Sequence, residues 1–174
     1  IKRSFKNTKI KFVILRYFNV VGADLKNKIG EIGDKDRLFN NISKKIINKN
    51  FKINIYGNDY KTKDGTCIRD YIHVTDLADI HIKGLDYLKK NKKSFILNCG
   101  YGKGYSVQQI VNIFKQIIKV VDVSYQKRRP GDIAQVYSNT KKFHNLFRWK
   151  PKHNNINKII KSAINWEKKI STIK

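Results

Sequence analysis

The chain has 174 residues, a length that suits one domain with a substantial core, and none of its apolar runs is long enough to cross a membrane. Its formal net charge of +25 would ordinarily indicate nucleic acid or an anionic membrane as a partner. However, lysine (31), isoleucine (26) and asparagine (18) all have AT-rich codons, and the lysines are scattered through every segment. The charge is therefore interpreted as a consequence of genome composition, and neither nucleic acid nor membrane is predicted as a partner.

The first third of the chain predicts an alternation of strands and helices. Residues 1–10 are polar and basic and indicate the end of a helix, whereas residues 11–20 are almost continuously apolar, as is typical of a strand buried on both faces of a parallel sheet. Residues 23–35 combine glycine with mixed charge and predict a loop. Apolar residues on one helical face predict a helix over residues 37–48, and residues 53–56 predict a short strand.

Residues 64–79 (D-G-T-C-I-R-D-Y-I-H-V-T-D-L-A-D) form the most informative stretch of the sequence. An Asp-Gly turn opens it, and a short apolar alternation that contains Arg69 follows. Thr75 and Asp76 then offer capping oxygens to an amphipathic helix whose last turn is basic. Because Arg69 would be fixed between rigid elements, this stretch predicts a functional site.

Strands and helices continue to alternate in the second half. Buried strands are predicted over residues 94–98 and 120–125, and helices from Ser106, over residues 140–147, and from Ile156 onward. Ser106 and Gln109 have the spacing of a capping box. The alternation predicts an α/β fold, and because the chain has few parallel strands of its own, we expect its buried strands to need partners.

Several local patterns are interpreted as structural. The glycines of residues 100–104 (G-Y-G-K-G) do not have the spacing of a dinucleotide-binding loop and predict a turn. Tyr137 and Lys141 have Tyr-x-x-x-Lys spacing, but they straddle a predicted strand-to-helix boundary and could not face each other. The four histidines lack a second ligand at metal-binding spacing, so no metal is predicted. Cys67 and Cys99 indicate a reduced compartment and no nucleophile.

Residues 57–78 (G-N-D-Y-x-T-x-D-G-T-x-x-R-D-Y-I-H-V-x-D-L-A) are very similar to the signature of UDP-glucose 4-epimerases, NAD-dependent enzymes of the extended short-chain dehydrogenase group. R-Y-F-N at residues 16–19 and R-R-P-G-D at residues 128–132 follow the family order, and the resemblance covers essentially the whole chain. The chain lacks Met and suits the carboxy-terminal half of such an enzyme. The resemblance implies that residues 1–174 supply the last strands of a Rossmann-type sheet and the UDP-sugar-binding domain.

The resemblance also implies roles for individual residues. Phe18 is expected to lie against the nicotinamide portion of NAD, and Asn19 to bind the substrate diphosphate. Arg69 and Arg129 are expected to clamp the same diphosphate, since a guanidinium forms forked hydrogen bonds that a lysine ammonium cannot reproduce. Asp132 is expected to accept a hydroxyl of the UDP ribose. Only seven of the 38 basic residues are arginines, which makes their occurrence in these motifs informative.

The same resemblance assigns eight further positions to the UDP-sugar site: Arg37, Leu38, Asn54, Ile55, Tyr56, Pro130, Gly131 and Val136. The backbone of residues 54–56 is expected to hold the uracil, and Val136 to border the sugar pocket. Arg37 departs from the pattern, because the best-known members have Asn there. A backbone N–H from Leu38 could still bind phosphate at the start of a helix.

The function implied is that of an isomerase, interconverting UDP-galactose and UDP-glucose through a 4-keto intermediate with bound NAD. The catalytic Tyr and Lys are expected before residue 1, so no catalytic residue is predicted in this chain, and the chain alone is expected to be inactive. The full-length protein is expected to be a cytoplasmic homodimer. Alternatives are a UDP-N-acetylglucosamine 4-epimerase, another nucleotide-sugar epimerase or dehydratase, or, outside enzymes, a basic nucleic-acid-binding module.

Overall fold

The computed structural model describes residues 8–33, 37–118 and 122–173. In chain order the elements are β1 Val13–Tyr17, β2 Asn19–Val21, α1 Leu38–Ile47, β3 Lys52–Tyr56, β4 Ile68–His73, α2 Val74–Asn91, β5 Phe95–Cys99, β6 Gly104–Ser106, α3 Val107–Ile118, β7 Asp122–Gln126, β8 Gln135–Val136, α4 Lys141–Phe147 and α5 Ile156–Ser171. The α/β prediction is confirmed. Most of the segment predicted as the end of a helix, and the first two residues of the predicted strand 120–125, lie outside the described residues.

The strands pair mainly in parallel. β1 pairs with β5 and β3 pairs with β7, while β4 pairs with β2 and β8 in parallel and with β6 in antiparallel orientation. The prediction of one strand over residues 11–20 was wrong. Residues 13–17 pair with β5 and residues 19–21 pair with β4, so Phe18 lies where the backbone changes its partner strand. Apolar periodicity alone could not reveal this change, because both segments are apolar.

Two clusters of buried side chains hold the elements together. The larger cluster joins α1, α3 and α5 to β3 and β4, and its fully buried members include Ile42, Phe114 and Ile160. The smaller one packs α2, β5 and α4 around Ile80 and Phe143. Both follow from the apolar spacing of the helices, which places residues three and four apart on one face. None of the helices in the described ranges combines the length and apolar character that a membrane span requires.

Two predicted helix starts had different outcomes. The capping box at α3 is confirmed, because the Ser106 N–H donates to Gln109 Oε1 (2.9 Å) and the Gln109 N–H donates to Ser106 Oγ (3.0 Å). The capping role given to Thr75 and Asp76 was wrong. His73 is the N-cap of α2, and its Nδ1 accepts from the Thr75 N–H at 3.2 Å. A ring nitrogen can satisfy an orphan N–H as an oxygen does, which residue type alone did not indicate.

Asp76 has a different role at the start of α2. Its buried carboxylate accepts hydrogen bonds from the Tyr101 hydroxyl (2.7 Å) and from the backbone N–H groups of Lys152 (3.1 Å) and His153 (3.0 Å). The carboxylate therefore attaches the segment between α4 and α5 to α2. Burial, with the hydrogen bond to Asp76, raises the pKa of Tyr101, so its phenol remains the donor.

Asp70 makes a similar connection from the middle of β4. Its fully buried carboxylate accepts from the N–H groups of Tyr101 (3.1 Å), Gly102 (3.0 Å) and Ser138 (3.2 Å), and from the Ser138 hydroxyl. The 100–104 segment is the predicted turn, since Gly102 has a φ of +70° and donates its N–H to this carboxylate. One side chain thus holds the turn after β5 and the segment after β8 against β4.

We expect Asp70→Ala to lower the free energy of unfolding by about 3 kcal/mol or more, because it removes a fully buried carboxylate that accepts four hydrogen bonds and leaves the buried Ser138 N–H without this acceptor. Asp86→Ala is the control, since Asp86 is an exposed residue of α2, and it should change stability by less than about 0.5 kcal/mol. Chemical denaturation followed by circular dichroism measures both. A loss below about 1 kcal/mol for Asp70→Ala would contradict the role given to this carboxylate.

Candidate functional site

A cleft of about 360 Å³ opens where several strand ends meet α1. Its walls come from the junction of β1 and β2, the first turns of α1, the end of β3, the start of β4 and the loop after β7. Nine of the residues predicted as site residues line it: Phe18, Asn19, Arg37, Leu38, Asn54, Tyr56, Arg69, Arg129 and Asp132. The carboxyl ends of parallel strands lie at a common edge, which is where α/β proteins commonly bind ligands.

Four predicted site residues fall outside the lining of this cleft. Ile55 is 1 % exposed and its side chain belongs to the core, so any role at the site falls to its backbone. Pro130 and Gly131 form the turn that brings Arg129 and Asp132 to the same side, and the Asp132 N–H donates to the Arg129 carbonyl at 3.3 Å. Gly131 has a φ of +81°, a conformation that favours glycine.

Val136, the fourth of these residues, lies in β8 directly opposite Arg69 in the pairing with β4. Its side chain is half-buried. The next residue, Tyr137, approaches Gly104, where an added Cβ would lie 3.4 Å from Tyr137 Cδ1. Successive side chains of an extended segment point to opposite sides, so Val136 and Tyr137 face different surroundings.

Arg69 and Asp132 were expected to bind different parts of a ligand, and they also contact each other. Arg69 Nη2 lies 3.4 Å from Asp132 Oδ1, while Nη1 donates to the carbonyls of Ile133 (2.6 Å) and Ile68 (2.9 Å). The Arg69 side chain is only 14 % exposed. These bonds hold the guanidinium in one orientation at the cleft, and the same contacts fix the carboxylate beside it.

The two consecutive arginines of the R-R-P-G-D motif lie over different tyrosines. Arg129 Cζ is 4.0 Å from the centroid of the Tyr56 ring, and Arg128 Cζ is 4.2 Å from that of Tyr60. Arg128 also pairs with Asp59, its Nε 2.7 Å from Oδ1, and this hydrogen bond lowers the pKa of that carboxyl. Arg129 lines the cleft, whereas Arg128 anchors the loop beside it.

The apolar part of the cleft was not predicted as part of a site. Val20, Val21, Phe39, Ile42, Ile53, Tyr71 and Val107 all contribute to its lining. In the sequence these residues belong to core-forming patterns, and no local signal separates a side chain that faces a cleft from one that faces a helix. Asn41 and Lys45 of α1 were missed as well.

Titratable groups in the lining give little scope for proton transfer. Burial raises the pKa of the Cys67 thiol, which agrees with the prediction that it is not a nucleophile. Burial also raises the pKa of Tyr71, which keeps its phenol neutral. Tyr137 precedes α4 and Lys141 begins it, so the two residues straddle the start of a helix, as predicted. Within the described ranges, no three His, Cys, Asp or Glu side chains are grouped as a metal site.

The arrangement suits a ligand with an anionic centre and a planar group. Arg37, Arg69 and Arg129 supply positive charge. The first turn of α1, which begins at Leu38, holds no acidic residue, so its backbone N–H groups add to this positive potential. The Arg37 guanidinium is itself held by Glu31, at 3.2 Å from Oε1. Aromatic and aliphatic side chains make up much of the remaining lining.

Comparisons with known proteins agree on the family of this chain. Residues 1–100 match the NAD dependent epimerase/dehydratase family. A UDP-glucose 4-epimerase from Azospirillum brasilense is 38 % identical over 163 residues, which cover 92 % of this chain and 47 % of that protein. The chain spans about half the length of the curated relatives it matches.

Solved structures agree with this comparison. The UDP-glucose-4-epimerase from Stenotrophomonas maltophila, with bound NAD and formylated UDP-arabinopyranose, superposes with a TM-score of 0.91 at 30 % identity, over 99 % of this chain and 52 % of that one. The UDP-Glc/GlcNAc 4-epimerase from Campylobacter jejuni gives a TM-score of 0.73 at 41 % identity, over 95 % and 51 %. The chain therefore belongs to the NAD-dependent epimerase/dehydratase family.

Proposed function

We propose that this chain is the UDP-sugar-binding part of a UDP-glucose 4-epimerase, an isomerase that interconverts UDP-galactose and UDP-glucose with bound NAD. The observation that carries the proposal is the convergence of Arg69, Arg129 and Asp132 on one cleft beside the start of α1. These residues come from two motifs about sixty residues apart in the chain. Relatives of the same family act on, or are bound to, UDP-sugars.

The diphosphate lies between the arginines and the start of α1. Arg69 and Arg129 supply guanidinium donors, and the Leu38 N–H and the Asn19 side chain complete the set. Arg37 adds a further cation where other members have Asn. Asp132 accepts a ribose hydroxyl, and its contact with Arg69 orients the carboxylate for that bond.

The uracil binds along β3. In the described part of the chain β3 pairs with β7 alone. On its other edge the Lys52 carbonyl accepts from Lys45 Nζ (2.6 Å), and the backbone groups of Asn54 and Tyr56 are left for a planar ligand with donors and acceptors. The buried side chain of Ile55 fixes the position of that backbone. This arrangement supports a backbone role for residues 54–56 in holding the uracil.

NAD, when bound, accepts and returns the hydride of the sugar C4 position. The half-buried Phe18 lines the cleft where the backbone passes from β1 to β2, and its flat apolar ring suits contact with a nicotinamide. No residue of this chain is assigned the proton transfer. The full-length protein is proposed to be a cytoplasmic homodimer, on the resemblance alone.

The direct test is an epimerisation assay with the full-length protein and NAD. We expect UDP-galactose to be converted to UDP-glucose and the reverse, with an equilibrium mixture reached from either side. Accumulation of a 4-keto sugar nucleotide without the second epimer would instead indicate a dehydratase, and would overturn the proposal. Tight binding to DNA that weakens steeply with salt, without any UDP binding, would favour the nucleic-acid alternative.

Conservative replacement of either clamp arginine should weaken substrate binding. In the full-length protein, Arg69→Lys and Arg129→Lys should each weaken UDP binding by about 1.5–3 kcal/mol, because a point charge loses the forked contact. Isothermal titration with UDP measures the affinity. Arg148→Lys is the matched control, since Arg148 is an exposed residue outside the cleft lining. Unchanged affinity in both cleft variants would remove these arginines from the site.

The size of Val136 predicts a broad sugar specificity. By the resemblance this position borders the sugar pocket, where a bulky Tyr would fill the space beside C2 and a small residue leaves room for an N-acetyl group. We expect the full-length enzyme to accept UDP-N-acetylglucosamine as well as UDP-glucose. The neighbouring Tyr137 could instead fill this space, but it approaches Gly104 and does not line the cleft, which supports the expectation.

The comparison is kcat/KM for both sugars in the wild type and in Val136→Tyr. The variant should lower the value for the N-acetyl sugar relative to UDP-glucose by at least about tenfold. Val136→Ala, which keeps the position small, should leave the ratio close to that of the wild type. A wild type that ignores the N-acetyl sugar, or a ratio unchanged in Val136→Tyr, would show that the size argument is wrong.

A further inference from the structure

The side chain of Tyr56, at the end of β3, lies on the side of the strand that faces away from the core. In this strand Ile53 and Ile55 point into the core and are almost fully buried, so Tyr56 points to the opposite side and is half-buried. It lines the cleft. A residue needed only for packing would be expected on the core side of the strand, where its neighbours lie.

The ring of Tyr56 lies under the guanidinium of Arg129. β3 and β7 are parallel and in register, with Tyr56 opposite Gln126, so the loop that follows β7 passes over the end of β3. Arg129 belongs to that loop, and its Cζ lies 4.0 Å from the ring centroid. A cation at this distance is attracted by the electron-rich face of an aromatic ring.

The backbone of the loop is held separately. Arg128 forms an ion pair with Asp59 and lies over Tyr60. These contacts need Gly57, since an added Cβ there would lie 2.9 Å from Arg128 Cγ and 2.4 Å from the Tyr60 ring. The anchoring of the loop and the orientation of the Arg129 side chain therefore depend on different tyrosines.

We infer that Tyr56 is a positioning residue for Arg129: its ring holds the guanidinium plane so that the N–H edge is presented to an anionic group in the cleft. The inference rests on the proposed function and gives the Tyr56 side chain a role beyond the backbone contact to uracil. An arginine side chain loses considerable rotamer freedom when it binds, and a ring that already holds it reduces that loss. A guanidinium can stack and donate in its plane at the same time, which a lysine ammonium cannot do.

The test uses the full-length protein with NAD, with UDP as the probe in isothermal titration. Tyr56→Leu should weaken UDP binding by about five- to tenfold, whereas Tyr56→Phe, which keeps the ring, should stay within about twofold of the wild type. In the Arg129→Ala background, Tyr56→Leu should have almost no further effect, because the side chain that it positions is absent. In turnover, Tyr56→Leu should raise KM with little change in kcat.

Two comparisons separate this role from general packing. Tyr125→Leu removes an exposed tyrosine from the paired strand β7, outside the cleft lining, and should leave UDP affinity unchanged. Replacement of Tyr56 by pentafluorophenylalanine keeps the shape of the ring but reverses the charge distribution of its face, and should weaken binding nearly as much as Tyr56→Leu. This variant remains informative if Tyr56→Leu does not fold.

Equal losses in Tyr56→Phe and Tyr56→Leu would overturn the inference, since the hydroxyl would then be the group that matters. Fully additive effects of Tyr56→Leu and Arg129→Ala would overturn it too, as would a pentafluorophenylalanine variant with wild-type affinity. If the wild type binds UDP and any of these three results is found, the inference about Tyr56 is wrong while the proposed function stands. A wild type that does not bind UDP would overturn the proposed function and this inference with it.

Discussion

The carboxylate of Asp70 is the interaction on which the geometry of the cleft depends. β4 carries Arg69 toward the cleft and Asp70 toward the interior, because successive side chains of a strand alternate. Asp70 holds both the turn after β5 and the segment after β8, and without it the buried Ser138 N–H would lose its acceptor. β8 in turn pairs with β4, with Val136 opposite Arg69, so the segment that Asp70 holds is also the one that flanks the arginine.

This division of roles extends along the R-D-Y-I-H-V-T-D-L-A-D stretch. The Asp76 carboxylate accepts hydrogen bonds from backbone N–H groups of the segment before α5. Asp79 Oδ2 accepts from the Trp149 indole N–H at 2.7 Å. His73 caps α2 through its Nδ1. Most polar residues of the stretch thus organise the backbone, while Arg69 reaches the cleft. The side chain at the site is only as well placed as the connections behind it.

The structure shows how the few acidic residues of this strongly basic chain are used. With 38 basic and 13 acidic residues, few carboxylates are available for pairing. Several of them accept backbone N–H groups or hold an arginine: Asp24, Glu31, Asp59, Asp64, Asp70, Asp76 and Asp132. Exposed ion pairs contribute little to stability, so the loss of an exposed acidic residue changes the free energy of unfolding little. A carboxylate that accepts buried N–H groups cannot be replaced by an amine, because those donors would lose their acceptor. This explains how a chain can tolerate such a bias and keep its fold.

Much of this protein was determined by the sequence itself. Apolar periodicity located the helices and the capping box defined the start of α3, because these features depend on short-range spacing and on residue chemistry. Which residues would share a site was indicated by the resemblance of the arginine motifs to a known family. Only the tertiary structure decided that the apolar run of residues 11–20 changes partner at Phe18, that Ile55 faces the core while Tyr56 faces the cleft beneath Arg129, and that His73 rather than Thr75 or Asp76 caps α2. The reason is that strand pairing and the contacts between distant loops depend on residues far apart in the chain, so no local pattern can record which partner a backbone group or an aromatic face will have.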